Sequence, residues 1–172
     1  MTILALDLGT KTGWAMLHEN DRSGGTWVLA TPAEIKEQRE RGRDRTGDVR
    51  FARLLAKLKG LPHPPDKVFF EDVQFSTTTM QTQLWATFRA AVWATFPGRC
   101  TGVPVGTLKL FATGQGNATK LMLGAYLVKK HPKLFKKREK STATCNVLDI
   151  SGRLVDDNET DAQHLLDFAI CN

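Results

Sequence analysis

A chain of 172 residues can bury a core without staples. Its three cysteines, Cys100, Cys145 and Cys171, are far apart with no CxxC pair, and 41% hydrophobic with 24% charged residues is globular usage; a disulfide framework, a zinc site, a disordered chain and a membrane span are all excluded. A net charge of +6 points to polyanionic partners, nucleic acid first.

Residues 3–8, 12–17 and 26–30 predict three strands. The tight turn from Gly9 to Gly13 joins the first pair and ENDRSGG joins the second, giving an antiparallel meander. The mixed charges of 34–50 suggest a solvated loop and helix start. VRFARLLAKLK (49–59) carries Val49, Leu54, Leu55 and Leu58 at helical spacing, and GLPHPPD breaks the chain. KVFFEDVQF (67–75) predicts a fourth strand, 77–96 a helix and 101–106 a fifth strand. Short and longer helices follow at 107–113 and after Asn117, a candidate cap. The last helix starts near Asn158, with Ala162, Leu165, Leu166, Ala169 and Ile170 on one face. This order describes a mixed α/β sheet covered by helices, one domain over 1–172. No basic stretch followed by a long apolar core opens the chain, so the expectation is an intracellular protein with no membrane partner.

Three acidic places stand beside apolar sequence: Asp7 in the first strand, Glu71 in the fourth, and DDNETDA (156–162) at the last helix start. An acid in an apolar strand needs a partner. If the first and fourth strands are neighbours, Asp7 and Glu71 converge, and a helix end there adds Asp157 or Asp161. Such a cluster cannot stay ionised without a cation, and hard oxygen ligands suit Mg²⁺ or Mn²⁺. Two such ions about 4 Å apart serve attack of water on a phosphodiester. The run KKHPKLFKKREK (129–140), with seven Lys/Arg against one Glu, is either a phosphate-facing segment, through Lys129, Lys130, Lys136 and Lys137, or a solvated helix end.

These residues resemble the RuvC-type Holliday-junction resolvases (crossover junction endodeoxyribonucleases) of the RNase H-like superfamily, over nearly the whole chain. ILALDLGTKTGWAML is similar to the first strand and turn, FFEDVQFSTTTMQTQLWATFRAAVWATF to the second ligand strand and its helix, and DNETDAQHLLDFA to the last helix. The resemblance implies an RNase H-like five-stranded sheet, an antiparallel meander followed by parallel strands. It implies a homodimer acting on branched, four-way DNA, with two Mg²⁺ ions per site for which Mn²⁺ substitutes, and paired nicks leaving 5′ phosphates. Asp7, Glu71 and Asp161 are then metal ligands. Lys109 and Lys120, flanking the Gly114–Gly116 turn in VPVGTLKLFATGQGNATK, contact the scissile phosphate and DNA. Any partner that moves the junction is unspecified.

Two features depart from the family. Its fourth ligand lies three residues before the terminal Asp, where Asn158 stands here; Asp157, four before Asp161, shares the same helix face. Asn158 and Asp161 also have the spacing of a helix cap pair. The aromatic that stacks on a DNA base in some members falls one residue late, at Phe75, which is equally suited to core packing.

Residues 113–120 match neither GxxxxGK[ST] nor GxGxxG, although Gly114 and Gly116 can still offer amides to a phosphate. His18, His63 and His131 are expected in solvent, and His164 either near the acidic face or on the surface. Trp14, Trp27, Trp85 and Trp93 suit core or dimer contacts. Three alternatives remain: an RNase H-like nuclease of the ribosomal-RNA-processing type, a non-catalytic junction-binding module, and an actin-like sugar kinase, which the length opposes.

Overall fold

The computed structural model describes residues 1–41, 47–73, 78–137 and 147–172. Phe75 and residues 138–140 of the basic run lie outside them. Strands β1 (Thr2–Asp7), β2 (Lys11–His18) and β3 (Asp21–Val28) form the expected antiparallel meander. Helices α1 (Pro32–Arg41) and α2 (Val49–Lys59) lead to β4 (Lys67–Asp72), which pairs in parallel with the free side of β1. After α3 (Thr79–Thr95), β5 (Cys100–Pro104) pairs in parallel with β4, so the sheet order is β3-β2-β1-β4-β5. Helices α4 (Val105–Thr113) and α5 (Lys120–Lys130) precede the final helix.

β1 is a continuous apolar run because both faces of the sheet are covered. Leu4 and Leu6 pack with Leu54 and Leu58 of α2 and Phe88 and Val92 of α3. Ile3 and Ala5 pack on the other face with Ala162, Leu165, Leu166 and Ala169, which belong to α6 (Asp157–Cys171). Leu54 and Leu58, four residues apart, form the inward stripe of α2, each stabilising by about 1.5–3 kcal/mol. Asp48 caps that helix by accepting from the Arg50 amide.

The third strand begins earlier than 26–30, and the hairpin turns at Glu19–Asn20, with Glu19 at φ 55°. Ser23-Gly24-Gly25 resembles a turn in sequence but lies within β3. Gly24 leaves room for Gln163 and Glu159, and Gly25 for the Trp14 indole, so these glycines answer to packing rather than to turning. α1 occupies the start of the mixed-charge stretch. Thr119, not Asn117, caps α5, accepting from the Met122 amide.

A second sheet, β6 (Phe135–Lys137), β7 (Val147–Asp149) and β8 (Leu154–Val155), has no counterpart in the sequence reading. Strands of three, three and two residues are too short to show period-two alternation. Phe135, Val147 and Val155 bury against Leu127 of α5. Among the described residues no helix is long and apolar enough to cross a membrane.

α6 is tied to its neighbours by charge as well as apolar contact. Asp167, 3% exposed, accepts from Arg22 of β3 (2.7 Å) and His131 (2.9 Å) and pairs with Lys130 (3.2 Å). His131 is therefore a structural partner rather than a solvated side chain. Burial alone raises the Asp167 pKa, but the His131 hydrogen bond and the Arg22 charge outweigh it and hold the carboxyl well below its usual range. The folded value is the lower one, so the stabilisation is complete above the unfolded carboxyl value of about 3.9 and is lost as pH falls toward the folded value. Asp167→Asn is expected to cost about 3 kcal/mol at pH 7 and to flatten the acid limb of a stability profile measured by urea unfolding. An unchanged limb assigns acid sensitivity to other groups.

Candidate active site

Asp7 ends β1 and Glu71 lies near the end of β4. Leu6 is paired with Phe70, so the two acids follow side by side at the carboxyl ends of adjacent parallel strands. Period-two alternation from Ala5 and Phe69 turns both toward the face that α6 covers.

The start of α6 is set by five contacts. Asp156 caps it, accepting from the Glu159 amide (2.9 Å) and from Thr26 of β3 (2.6 Å). Glu159, 1% exposed, takes a two-pronged pair from Arg153 (2.7 and 2.8 Å). The Arg22 guanidinium donates to the Gln163 carbonyl (2.8 Å). Gly13, the register partner of Asp7, has the Asn158 carbonyl where a Cβ would stand. The acids of DDNETDA thus divide: Asp156 and Glu159 anchor the helix, while Asp157 and Asp161 turn toward the site. The cap pair is Asp156 with Glu159, not Asn158 with Asp161.

The electrostatics bind the cluster together. Burial first, then the charges of Glu71 and Asp161, push the Asp7 carboxyl well above its ordinary range, and it shares a hydrogen bond with Glu71. Burial also raises Glu71, with that hydrogen bond, Lys109 and Lys120 opposing. Asp161 is pushed up to about 7 by burial and by the charge of Glu71. Asp157 pairs through Oδ2 with Lys120 Nζ at 3.1 Å. Asp7, Glu71, Asp161 and Asp157 with Lys109 and Lys120 form one interacting group, contributed by two strands and three helices.

The donors suit a hard divalent cation: carboxylates crowded until protons or ammonium groups must balance them. Among the described residues, no three His, Cys, Asp or Glu side chains are arranged to hold a metal ion as they stand. Balancing charge comes instead from Lys120 on Asp157, while burial and mutual repulsion push the Asp7 and Glu71 carboxyls upward.

Other candidates lie elsewhere. Gly114 terminates α4 in the left-handed region at φ 75°, its amide donating to Leu110, so that amide is engaged in the turn. Gly116 is exposed and lies near the Gly106 carbonyl. His164 is neither near the acids nor on the surface: 1% exposed, it donates from Nε2 to the Leu123 carbonyl (2.9 Å). His18 stacks on His63 at 3.7 Å and hydrogen-bonds Thr2. Lys129 and Lys130 lie over the rings of Tyr126 and Phe111, and Lys136 and Lys137 are exposed on β6. Gly13 is the site residue that sequence reasoning missed. Its signal was a glycine inside an apolar strand, which marks close approach as readily as a turn.

No family model matches the chain, and no curated protein matches it by sequence. By structure it is similar to Thermus thermophilus RuvC in complex with a Holliday junction substrate, at TM-score 0.58 and 16% identity, covering 96% of this chain and 90% of that one. The chain has the RuvC fold. A second Thermus thermophilus RuvC structure matches at TM-score 0.58 and 15% identity over the same shares. The mixed sheet with its antiparallel and parallel halves is accordingly the RNase H-like sheet of the RuvC fold.

Proposed function

We propose that this protein is a divalent-cation-dependent endonuclease that resolves four-way DNA junctions, acting as a homodimer and leaving 5′ phosphates. The observation that carries this reading is the carboxylate cluster of Asp7, Glu71 and Asp161 at the carboxyl ends of β1 and β4 on a RuvC fold. The named structural neighbour's junction complex supports the substrate. Asp7, Glu71 and Asp161 hold the Mg²⁺ or Mn²⁺ ions, with Asp157 or Asn158 completing the set. When bound, two such ions activate a water and stabilise the leaving oxygen of a phosphodiester.

The chain's own groups supply the rest. Lys109, whose charge reaches Glu71 and Asp161, holds the scissile phosphate against the carboxylates. Lys120, paired with Asp157, borders the same approach, and the Gly114–Gly116 turn lies between the two lysines in sequence. Lys136 and Lys137, exposed on β6, extend a basic surface for the backbone, as Lys129 does. Lys130 is partly committed to Asp167. Phe75 stacks on a base at the branch point. The exposed Trp93 of α3 supports a second copy as the partner of that helix.

The deciding experiment is gel cleavage of a synthetic four-way junction in Mg²⁺, beside linear duplex and RNA–DNA hybrid. Paired nicks in the junction are expected. Preference for the hybrid transfers the reading to a ribosomal-RNA-processing nuclease, and binding without nicking in either Mg²⁺ or Mn²⁺ leaves a junction-binding module.

A further inference from the structure

Four carboxylates brought together by two strands and a helix repel one another, and the chain carries its own partial remedy. Lys120, the first residue of α5, places Nζ 3.1 Å from Asp157 Oδ2. The two side chains differ in exposure: Asp157 is 19% exposed and Lys120 56%. The anion is held in the site while the ammonium reaches it from the solvent side. The same ammonium acts on Asp7, Glu71 and Asp161. The charge of Lys109 acts on Glu71 and Asp161 as well.

We propose that Lys120 is a built-in cation of this cluster, occupying Asp157 until a divalent ion displaces it. The inference rests on the metal-dependent reading above, and concerns what the site does before the metal arrives. An ammonium and a divalent ion beside the same carboxylate repel each other strongly, so metal entry requires Lys120 to leave Asp157.

The helix that bears Lys120 cannot move away to permit this. Thr119 caps its first turn, Leu123 accepts from the buried His164, and Lys130 and His131 hold its far end on Asp167. What moves is the side chain, a flexible four-carbon stem with its head already half in water, and breaking so exposed a pair costs little. Two consequences follow. In the metal-free cluster the Lys120 charge offsets part of the repulsion, and a singly charged ion gains nothing by replacing a singly charged ammonium. The pair therefore biases the site toward doubly charged ions.

Calorimetric titration of the full chain with Mn²⁺, without DNA, tests this through binding alone. Lys120→Met is expected to bind Mn²⁺ about tenfold more tightly than the wild-type chain, and Lys120→Arg within about twofold of it, since the charge is kept. In EDTA, Lys120→Met is expected to melt at a lower temperature than wild type, and Mn²⁺ to restore it. Asp7→Asn, run alongside, is expected to lose Mn²⁺ binding. Equal or weaker binding by folded Lys120→Met, with Asp7→Asn still deficient, overturns the role of Lys120 and leaves the metal site standing. Binding indifferent to Asp7→Asn, or absent from wild type and Lys120→Met alike, overturns both.

Discussion

Asp7→Asn is expected to lower junction cleavage by about 10³-fold while leaving junction binding intact and raising the melting temperature in EDTA. The two effects have one origin. Asp7 sits among protein atoms, beside Glu71 and within the field of Asp161, and its carboxyl is raised far from its ordinary range by that burial and those charges. An amide of the same shape carries no charge to desolvate and none to repel, so the folded state gains. For a chain of this size each kcal/mol gained raises the midpoint by about 2–4 °C. The amide is also a poorer ligand for a hard cation, so the chemistry is lost as the stability rises. Stability exchanged for function in this direction is the mark of a working site. Cleavage at the wild-type rate would sink the nuclease reading. A lowered melting temperature would instead make Asp7 a structural group.

The second large effect is expected at Gly13→Ala. The added methyl overlaps the Asn158 carbonyl, which is backbone in the first turn of α6, and lies tight against the Glu159 amide. Neither can rotate aside. Either β2 bends or the helix start retreats, and overpacking of this kind costs about 3 kcal/mol. Because Gly13 is the register partner of Asp7, the retreat carries Asp157 and Asp161 away from it, and cleavage is expected to fall even in protein that still folds. Gly106→Ala provides the contrast: on α4 nothing lies within 4 Å of the new methyl, and a helical alanine is worth about 0.5–1 kcal/mol over glycine. Urea unfolding of the two variants, with cleavage measured on the folded fraction, decides the matter. Comparable behaviour of the pair would remove the close approach of α6 from the account of the site.

Much of the fold was legible because the signals were local. Helical spacing marked Leu54 and Leu58, and β1 carried an unbroken apolar run buried on both faces. The errors share a cause. The glycines of β3 and Gly13 resemble turns in sequence because a glycine's sequence neighbours do not disclose which distant atoms press on it. The second sheet went unseen because its strands are shorter than any periodicity. The places of His131 and His164 are not legible in sequence because their partners, Asp167 and the Leu123 carbonyl, lie 36 and 41 residues away.

By itself, then, the sequence determined which residue types were out of place: an acid ending an apolar strand, a second in another strand, and a knot of acids before an amphipathic helix. Desolvation makes such positions conspicuous without knowledge of the fold. Only the tertiary structure decided how the knot divides. Asp156 and Glu159 became the anchor because Thr26 and Arg153 reach them, and Asp157 and Asp161 became part of the site because Gly13 lets the helix start close over Asp7. Two carboxylates one helical turn apart are equivalent in sequence. Their burial and the partners that the packed sheet presents make them different.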